Sequence, residues 1–427
     1  MSQTTRIRAR TERSRSKPAT GAGWPWSLGA VAALATLIPA ALLSGCGGGG
    51  GGGSDLAPIS LGIAAADFNR DGRIDLAQPL TPLDHGPPHA SSVGVQLQGG
   101  TGTLDPAQSY AVGDDSWNII AADVNDDGLP DIVSVDVNSD TLSVLINDSG
   151  QPGHFRPAIT LPTGSSPSQV VAYDLDGDGH TDLIEAHEGG VGIHLQNASA
   201  PGTFAAGVVI DIANCCFGVA VGDLNNDGLA DIAVTSADGV LVLLQDRANP
   251  GSFGPPSAPV AGAPGSWIVV ADVNGDGAAD LIYTGPPDSS GSSSSVVVAL
   301  QNPANPGHFF APSSYPTAGG VFSFLLRDIN GDGIPDLVVG GSVGLTFLLQ
   351  DAANRGHFLS PQIYNPSFQD SAGDRIYYDF SFIDVADING DGLPDILVSS
   401  GPSADGPGVM YQIPGSPGSF DGLQDLH

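Results

Sequence analysis

The 427-residue chain repeats one nine-residue pattern, Asp-x-Asn/Asp-x-Asp-Gly-x-x-Asp, seven times. Copies begin at Asp67, Asp123, Asp174, Asp223, Asp272, Asp328 and Asp387, so successive starts lie 56, 51, 49, 49, 56 and 59 residues apart. A period near fifty residues means that one supersecondary unit is built repeatedly, each burying its apolar surface against the next.

Every period has the same contents. An apolar run leads into the motif, as in Trp117-Asn118-Ile119-Ile120-Ala121-Ala122 before Asp123, and a second run follows it, as in Ile232-Ala233-Val234 after Asp231. A glycine-containing turn introduces a third run, such as Leu345-Thr346-Phe347-Leu348-Leu349. A Gly-x-Phe turn then opens a fourth, recurring at Gly153-His154-Phe155, Gly202-Thr203-Phe204, Gly251-Ser252-Phe253, Gly307-His308-Phe309, Gly356-His357-Phe358 and Gly418-Ser419-Phe420. These runs are short and β-favouring, and no window keeps a 3.6-residue apolar period. Four strands per unit and seven units predict an all-β, seven-bladed β-propeller with four-stranded antiparallel blades.

The Asp motif and the Gly-x-Phe turn together resemble the FG-GAP/VCBS repeats of the integrin α-subunit head and of bacterial surface proteins, across residues 59 to about 421. The resemblance implies a propeller and a binding or adhesion role at a cell surface. Integrin propellers carry calcium in only some blades, whereas all seven copies here keep their oxygen positions. Closure is less evident. The chain starts with the innermost strand of blade 1 and ends with the outermost strand of blade 7, leaving no strand from the far terminus to complete a blade.

Calcium takes six to eight oxygens, and the motif supplies them at positions 1, 3, 5 and 9 from side chains and at position 7 from the main chain. The expected ligands, in chain order, are Asp67, Asn69, Asp71, Arg73 and Asp75 in the first copy, and Asp123, Asn125, Asp127, Leu129 and Asp131 in the second. Asp174, Asp176, Asp178, His180 and Asp182 follow, then Asp223, Asn225, Asp227, Leu229 and Asp231. The last three sets are Asp272, Asn274, Asp276, Ala278 and Asp280; Asp328, Asn330, Asp332, Ile334 and Asp336; and Asp387, Asn389, Asp391, Leu393 and Asp395. Up to seven structural Ca2+ ions are expected. The bland alternative is an Asp-Gly turn without metal. A helical EF-hand is the other rival, and the third copy with Glu185 satisfies its pattern. The other copies place Gln78, Ser134, Val234, Tyr283, Val339 and Val398 there, amid β-branched flanks unsuited to helices.

The amino terminus is read separately. Arg6 to Lys17 form a basic region, and an apolar run from Leu28 to Leu43 ends in Leu43-Ser44-Gly45-Cys46. This order is that of a secretory signal, and the run is too short to span a membrane. Leu-Ser-Gly-Cys resembles the lipobox of bacterial lipoproteins, which implies lipidation at Cys46, the alternative being an ordinary cleaved signal. The expected organisation is therefore a signal peptide at 1–45, a lipidated cysteine and poly-glycine tether at 46–58, and the propeller at 59–427. The resemblance places the protein in the bacterial cell envelope, lipid-anchored, with the outer membrane favoured and either a periplasmic or a surface-exposed propeller.

Beyond Cys46 the chain keeps seven arginines, no lysine and 45 acids, a formal −38. Of those acids, 22 are aspartates at the oxygen positions. With no basic patch to neutralise phosphates, nucleic acid is excluded as a partner. The calcium loops and the turns between third and fourth strands should share one face of the ring. Loops of variable length then occupy the other face: Pro79 to Ser92, Pro286 to Ser295 and Asn365 to Asp379.

Aromatic residues gather beside that second face. Trp117, Phe217, Trp267, Phe322 and Tyr378, with Tyr377 and Phe380, are either core plugs or a platform for a sugar or a peptide side chain. Cys215 and Cys216 lie there too, either as a strained vicinal disulfide or as two thiols. No catalytic residues are identified: His154, His308 and His357 are turn residues, His85 and His89 sit in the blade 1 loop beside Asp84, and the His180 side chain is expected to point outward. No nucleophile elbow or phosphate loop is present. The sequence therefore reads as a calcium-stabilised envelope binding, adhesion or scaffold protein with a protein or glycan ligand. A carbohydrate-binding lectin is the alternative, and a polysaccharide-active enzyme a more distant one.

Overall fold

In the computed structural model the described residues are 62–80, 92–100, 103–213, 215–261, 265–286, 295–365, 367–369, 375–377, 383–398 and 408–425. Seven four-stranded antiparallel sheets are arranged as the blades of a propeller, and no helix occurs among the described residues. Their innermost strands are Ala64–Ala66, Ser116–Ala122, Gln169–Tyr173, Cys215–Gly222, Ile268–Ala271, Val321–Arg327 and Ile383–Ala386. Each blade is built from strands consecutive in the chain, apart from a short hairpin inserted in blade 1. The signal segment, Cys46 and the glycine tether lie outside the described residues.

The alternation of each strand sends one row of side chains toward each neighbouring blade. Ile120, Val133, Val135 and Val144 of blade 2 meet Val170 and Leu183 of blade 3. From the other side of that blade, Ile184, Val191 and Ile193 meet Val219, Ile232 and Val234 of blade 4. Because both faces are covered, the second strands read as nearly continuous apolar runs. Asp131–Asp136, Asp182–His187 and Asp231–Ser236 are buried along their whole length.

The ring closes without a strand from the far terminus. Ile63, Ala65 and Leu76 of blade 1 share a core cluster with Ile383, Val385 and Ile396 of blade 7. The Ala65 N–H donates to the buried Asp384 carboxylate at 3.2 Å, and the Gln98 amide donates to the Ile388 carbonyl at 2.8 Å. The second bond is not special to the seam. Asn147 makes it to the Phe68 carbonyl, Gln245 to Leu175 and Gln412 to Ile329, each reaching the preceding blade. Closure is thus by repetition of an ordinary blade-to-blade contact.

Two small hairpins lie outside the blade pattern, Gln98–Gly100 with Thr103–Leu104 in blade 1, and Ser367–Gln369 with Arg375–Tyr377 before blade 7. The first is the seventh copy of the Gly-x-Phe turn in disguise. Leu104 takes the place of phenylalanine, and Asp105 N–H bonds the Leu97 carbonyl as Arg156 N–H bonds that of Ile146.

Candidate functional site

Each Asp motif forms the turn between the first and second strands. Two residues per loop adopt the left-handed conformation that lets the chain curl. Position 6 is always glycine, as at Gly72 (φ 83°) and Gly179 (φ 89°). Position 4 is glycine in four copies and Arg70, Asp126 or Asn226 in the others. The position 1 carboxylate is held by backbone N–H groups: in the first loop Asp67 accepts from Asp71 at 3.0 Å and from Gly72 at 2.8 Å. Asn69 accepts from Asp71 N–H at 2.9 Å, and the Asp71 carboxylate from Arg73 N–H at 3.0 Å.

The position 9 aspartate differs from the other acids because it is fully buried and begins the second strand. In blade 4, Asp231 accepts from Leu224 N–H at 3.0 Å and from Gln245 N–H at 2.8 Å. All seven equivalents accept two such bonds, one from motif position 2 and one from the residue that opens the turn between third and fourth strands. Burial raises these carboxyls well above the usual range, and the other aspartates of the same loop raise them further. Asp131 is pushed up to about 8, Asp75 and Asp280 to about 7, and Asp182, Asp231, Asp336 and Asp395 to about 6.

An ionised carboxylate in that position gains most from a cation. Asp174, Asp176 and Asp182 each place a carboxylate oxygen within 4.8 Å of the others. Two ligands on one calcium, each at about 2.3–2.6 Å, stand at most about 5 Å apart, so the donor set fits the ion. The other loops substitute the Asn amide oxygen at position 3. The carbonyl ligands expected at position 7 belong to residues in varied settings: Leu129 and Ala278 are buried, while Leu393 is half-buried.

The His180 side chain, part-exposed, also has a specific partner: its Nδ1 lies 2.6 Å from Asp126 Oδ2 in the neighbouring loop, and this bond raises the imidazole. Arg70 likewise reaches sideways, donating to the Asp127 carbonyl at 3.0 Å.

A recurrent amide escaped the sequence reading. Asn147 and its counterparts Gln98, Gln196, Gln245, Gln301, Gln350 and Gln412 open the turn between third and fourth strands. The Gln245 amide donates to the Ala230 carbonyl at 2.6 Å and to Leu175 of blade 3 at 2.8 Å, while its oxygen accepts from Gly251 at 3.2 Å. The turn then covers the preceding loop: a Cβ on Gly153 would stand 3.1 Å from the Cβ of Asn69. The available signal was a Gln or Asn six residues before the glycine of Gly-x-Phe.

On the second face the aromatic residues divide. Trp267 (5% exposed) and Phe322 (7%) plug the core, Trp117 is half-buried, and Phe217 is 60% exposed. Tyr378 and Phe380 lie outside the described residues, as do the side chain of Tyr377 and the blade 1 loop bearing Asp84, His85 and His89. The register shifts between Cys215 and Val219, a β-bulge that re-aims Phe217. Cys215 is disulfide-bonded, and the side chain of Cys216 is outside the described set.

A model of the FG-GAP-like repeat matches residues 123–185, 174–234, 223–283 and 328–398, more than half of the chain. Among curated proteins none matches. Solved structures share the fold at low identity. A lectin from Agrocybe aegerita, described for recognition of non-reducing terminal N-acetylglucosamine, is 20% identical with a TM-score of 0.51, covering 76% of this chain and 85% of its own. A candidate 6-phosphogluconolactonase from Bacteroides uniformis is 15% identical with a TM-score of 0.51, covering 82% and 97%. With the repeat matched over most blades and the ring of four-stranded sheets described above, the chain belongs to the family of FG-GAP-like repeat proteins.

Proposed function

We propose that this protein is a calcium-stabilised binding or scaffold module of the bacterial cell envelope, held by a lipid on Cys46 and a glycine tether. What carries the reading is the division of labour between the two faces. Seven oxygen-lined loops share one face, and the other exposes Phe217 on a bulge. The ions are structural in this reading, since each loop is already wrapped by its own backbone and by the next blade's turn. Metal analysis of the purified full chain should return close to one calcium per loop, and metabolic labelling with an alkyne fatty acid should be lost in Cys46→Ala. A chain that holds no calcium and takes no lipid label refutes the proposal.

A lectin is the second reading, favoured by Phe217, because an exposed aromatic ring can stack on a sugar. The Agrocybe aegerita lectin supports the fold of that reading and not its specificity. Binding on a glycan array that requires calcium would establish it.

A further inference from the structure

We infer that the second face over blades 2–4 binds a cationic polypeptide segment, with an arginine or lysine side chain seated on Phe217. The inference specifies the partner of the binding role proposed above and rests on that reading.

Phe217 is an exposed aromatic whose backbone is fixed on every side. Its carbonyl accepts from Ser168 Oγ at 3.0 Å. Gly218 N–H bonds Thr235 Oγ1 and Val219 N–H bonds Gln169 Oε1, both at 3.0 Å. The Cys215 carbonyl accepts from Gly189 at 2.7 Å, and Cys215 is itself cross-linked. A ring so placed loses little entropy when a partner covers it, which suits an anchor contact.

The surroundings fix the sign of the partner. Glu188, exposed, forms with Gly189 the hairpin turn that touches Cys215. Asp211, exposed, pairs in register with Gly190 at the end of the same blade. Asp238, exposed, lies in the blade 4 hairpin turn that begins at Ser236, the register partner of Cys215. Asp140, exposed, accepts from Ser166 N–H at 2.7 Å, and the adjacent Ser165 carbonyl accepts from Glu188 N–H at 2.9 Å. These turns contain no lysine or arginine. Arg70, Arg73 and Arg327 lie at the loop side carrying the Asp motifs, Arg156, Arg247 and Arg355 in the turns between third and fourth strands, and Arg375 in the hairpin before blade 7, so no arginine on these turns of blades 2–4 offsets the charge. Beside Ser168, Asn118 Nδ2 donates to the Ser168 carbonyl at 3.3 Å, and its fully buried Oδ1 has no hydrogen-bond partner.

Acceptors of one kind around an aromatic face match a guanidinium or ammonium group, which is attracted to the ring quadrupole and donates to carboxylates. A neutral sugar would use the ring without needing the four carboxylates.

The test measures binding of a fluorescent arginine-rich peptide and of a neutral chito-oligosaccharide to the calcium-loaded full chain, at low and high salt. Wild type should bind the peptide and lose affinity steeply with salt. Phe217→Ala should weaken it about fivefold with an unchanged melting temperature, and Glu188→Gln with Asp238→Asn should flatten the salt dependence. Asp148→Asn, on the opposite face, should change nothing. Peptide binding indifferent to Phe217→Ala would mean diffuse attraction to an acidic surface and would overturn the site. Salt-independent binding of the oligosaccharide lost in Phe217→Ala, without peptide binding, would replace the inference with the lectin reading and leave the envelope role intact.

Discussion

On the calcium-bound reading proposed above, removing the ion should invert the pH dependence of stability, because of seven buried carboxyls. Consider Asp231. Its ordinary value of 3.8 rises to about 6, chiefly through burial and then through Asp223 and Asp227, despite two backbone hydrogen bonds that pull it down. A rise of about two units corresponds to about 3 kcal/mol of unfavourable free energy for the ionised, ion-free loop. Asp131, at about 8, has still more to gain from staying protonated. A carboxyl raised in the folded state contributes stability that is fully present below about pH 4 and is lost as pH rises through 6 to 8. Stripped of metal, the protein should therefore melt highest under mildly acidic conditions and progressively lower toward alkaline pH. With calcium the ionised form is the one that binds, so the ion displaces the proton and the gap between loaded and stripped protein should widen with pH. Differential scanning calorimetry of protein stripped on a chelating resin, at about pH 5.5, 7 and 8.5 with and without added calcium, reads this directly. Calcium added at neutral pH should also release protons, most from the loops of Asp75, Asp131 and Asp280, whose values are about 7, 8 and 7. A gap that stays constant across pH, or calcium addition without proton release, would refute the argument.

Closure of the ring predicts that Gln98→Leu destabilises the protein by about 1–3 kcal/mol, the cost of leaving a buried carbonyl at Ile388 without its donor. Gln245→Leu should cost a similar amount in urea unfolding; a neutral Gln98→Leu would show that the seam is closed by other contacts. Asp384→Leu should cost about 3–5 kcal/mol, since the buried Asp384 carboxylate, raised to about 7, both receives the Ala65 N–H and acts on the half-buried Arg327. Finally, burial lowers the His194 imidazole, so in calcium-saturated protein His194 should take away stability as pH falls below its ordinary 6.5. Leu145 occupies the equivalent place in blade 2, pairing with Ile132 as His194 pairs with Leu183. His194→Leu should accordingly flatten the acid limb of a melting-temperature profile, and an unchanged acid limb would refute the assignment.

What was legible in the sequence, and what was not, follows from how each residue does its work. Strand order, blade number and the loops were readable because they depend on local spacing: glycine where φ must be positive, carboxylates where oxygens converge, apolar runs where both faces are covered. The first blade's turn was not, because Leu104 fills the same apolar slot as phenylalanine without matching its letter. The His180 contact was not foreseen because position 7 was considered only for its carbonyl, while the side chain also bonds Asp126 of the neighbouring loop, a relation that exists only once blades 2 and 3 pack together. The bridging amides were missed for the same reason. Gln245 holds its own turn, its own loop and the loop of the blade before, and no linear pattern shows that three backbone segments converge there. The position 9 aspartate was read only as an expected ligand, yet in the fold it bonds two backbone N–H groups, one from its own loop and one from the start of the turn between third and fourth strands. A carboxylate with both duties cannot be exchanged for asparagine without leaving one N–H facing an amide donor or giving up the charge proposed to hold an ion. That double constraint accounts for aspartate at position 9 in all seven copies, while position 3 is Asn in six copies and Asp in the third.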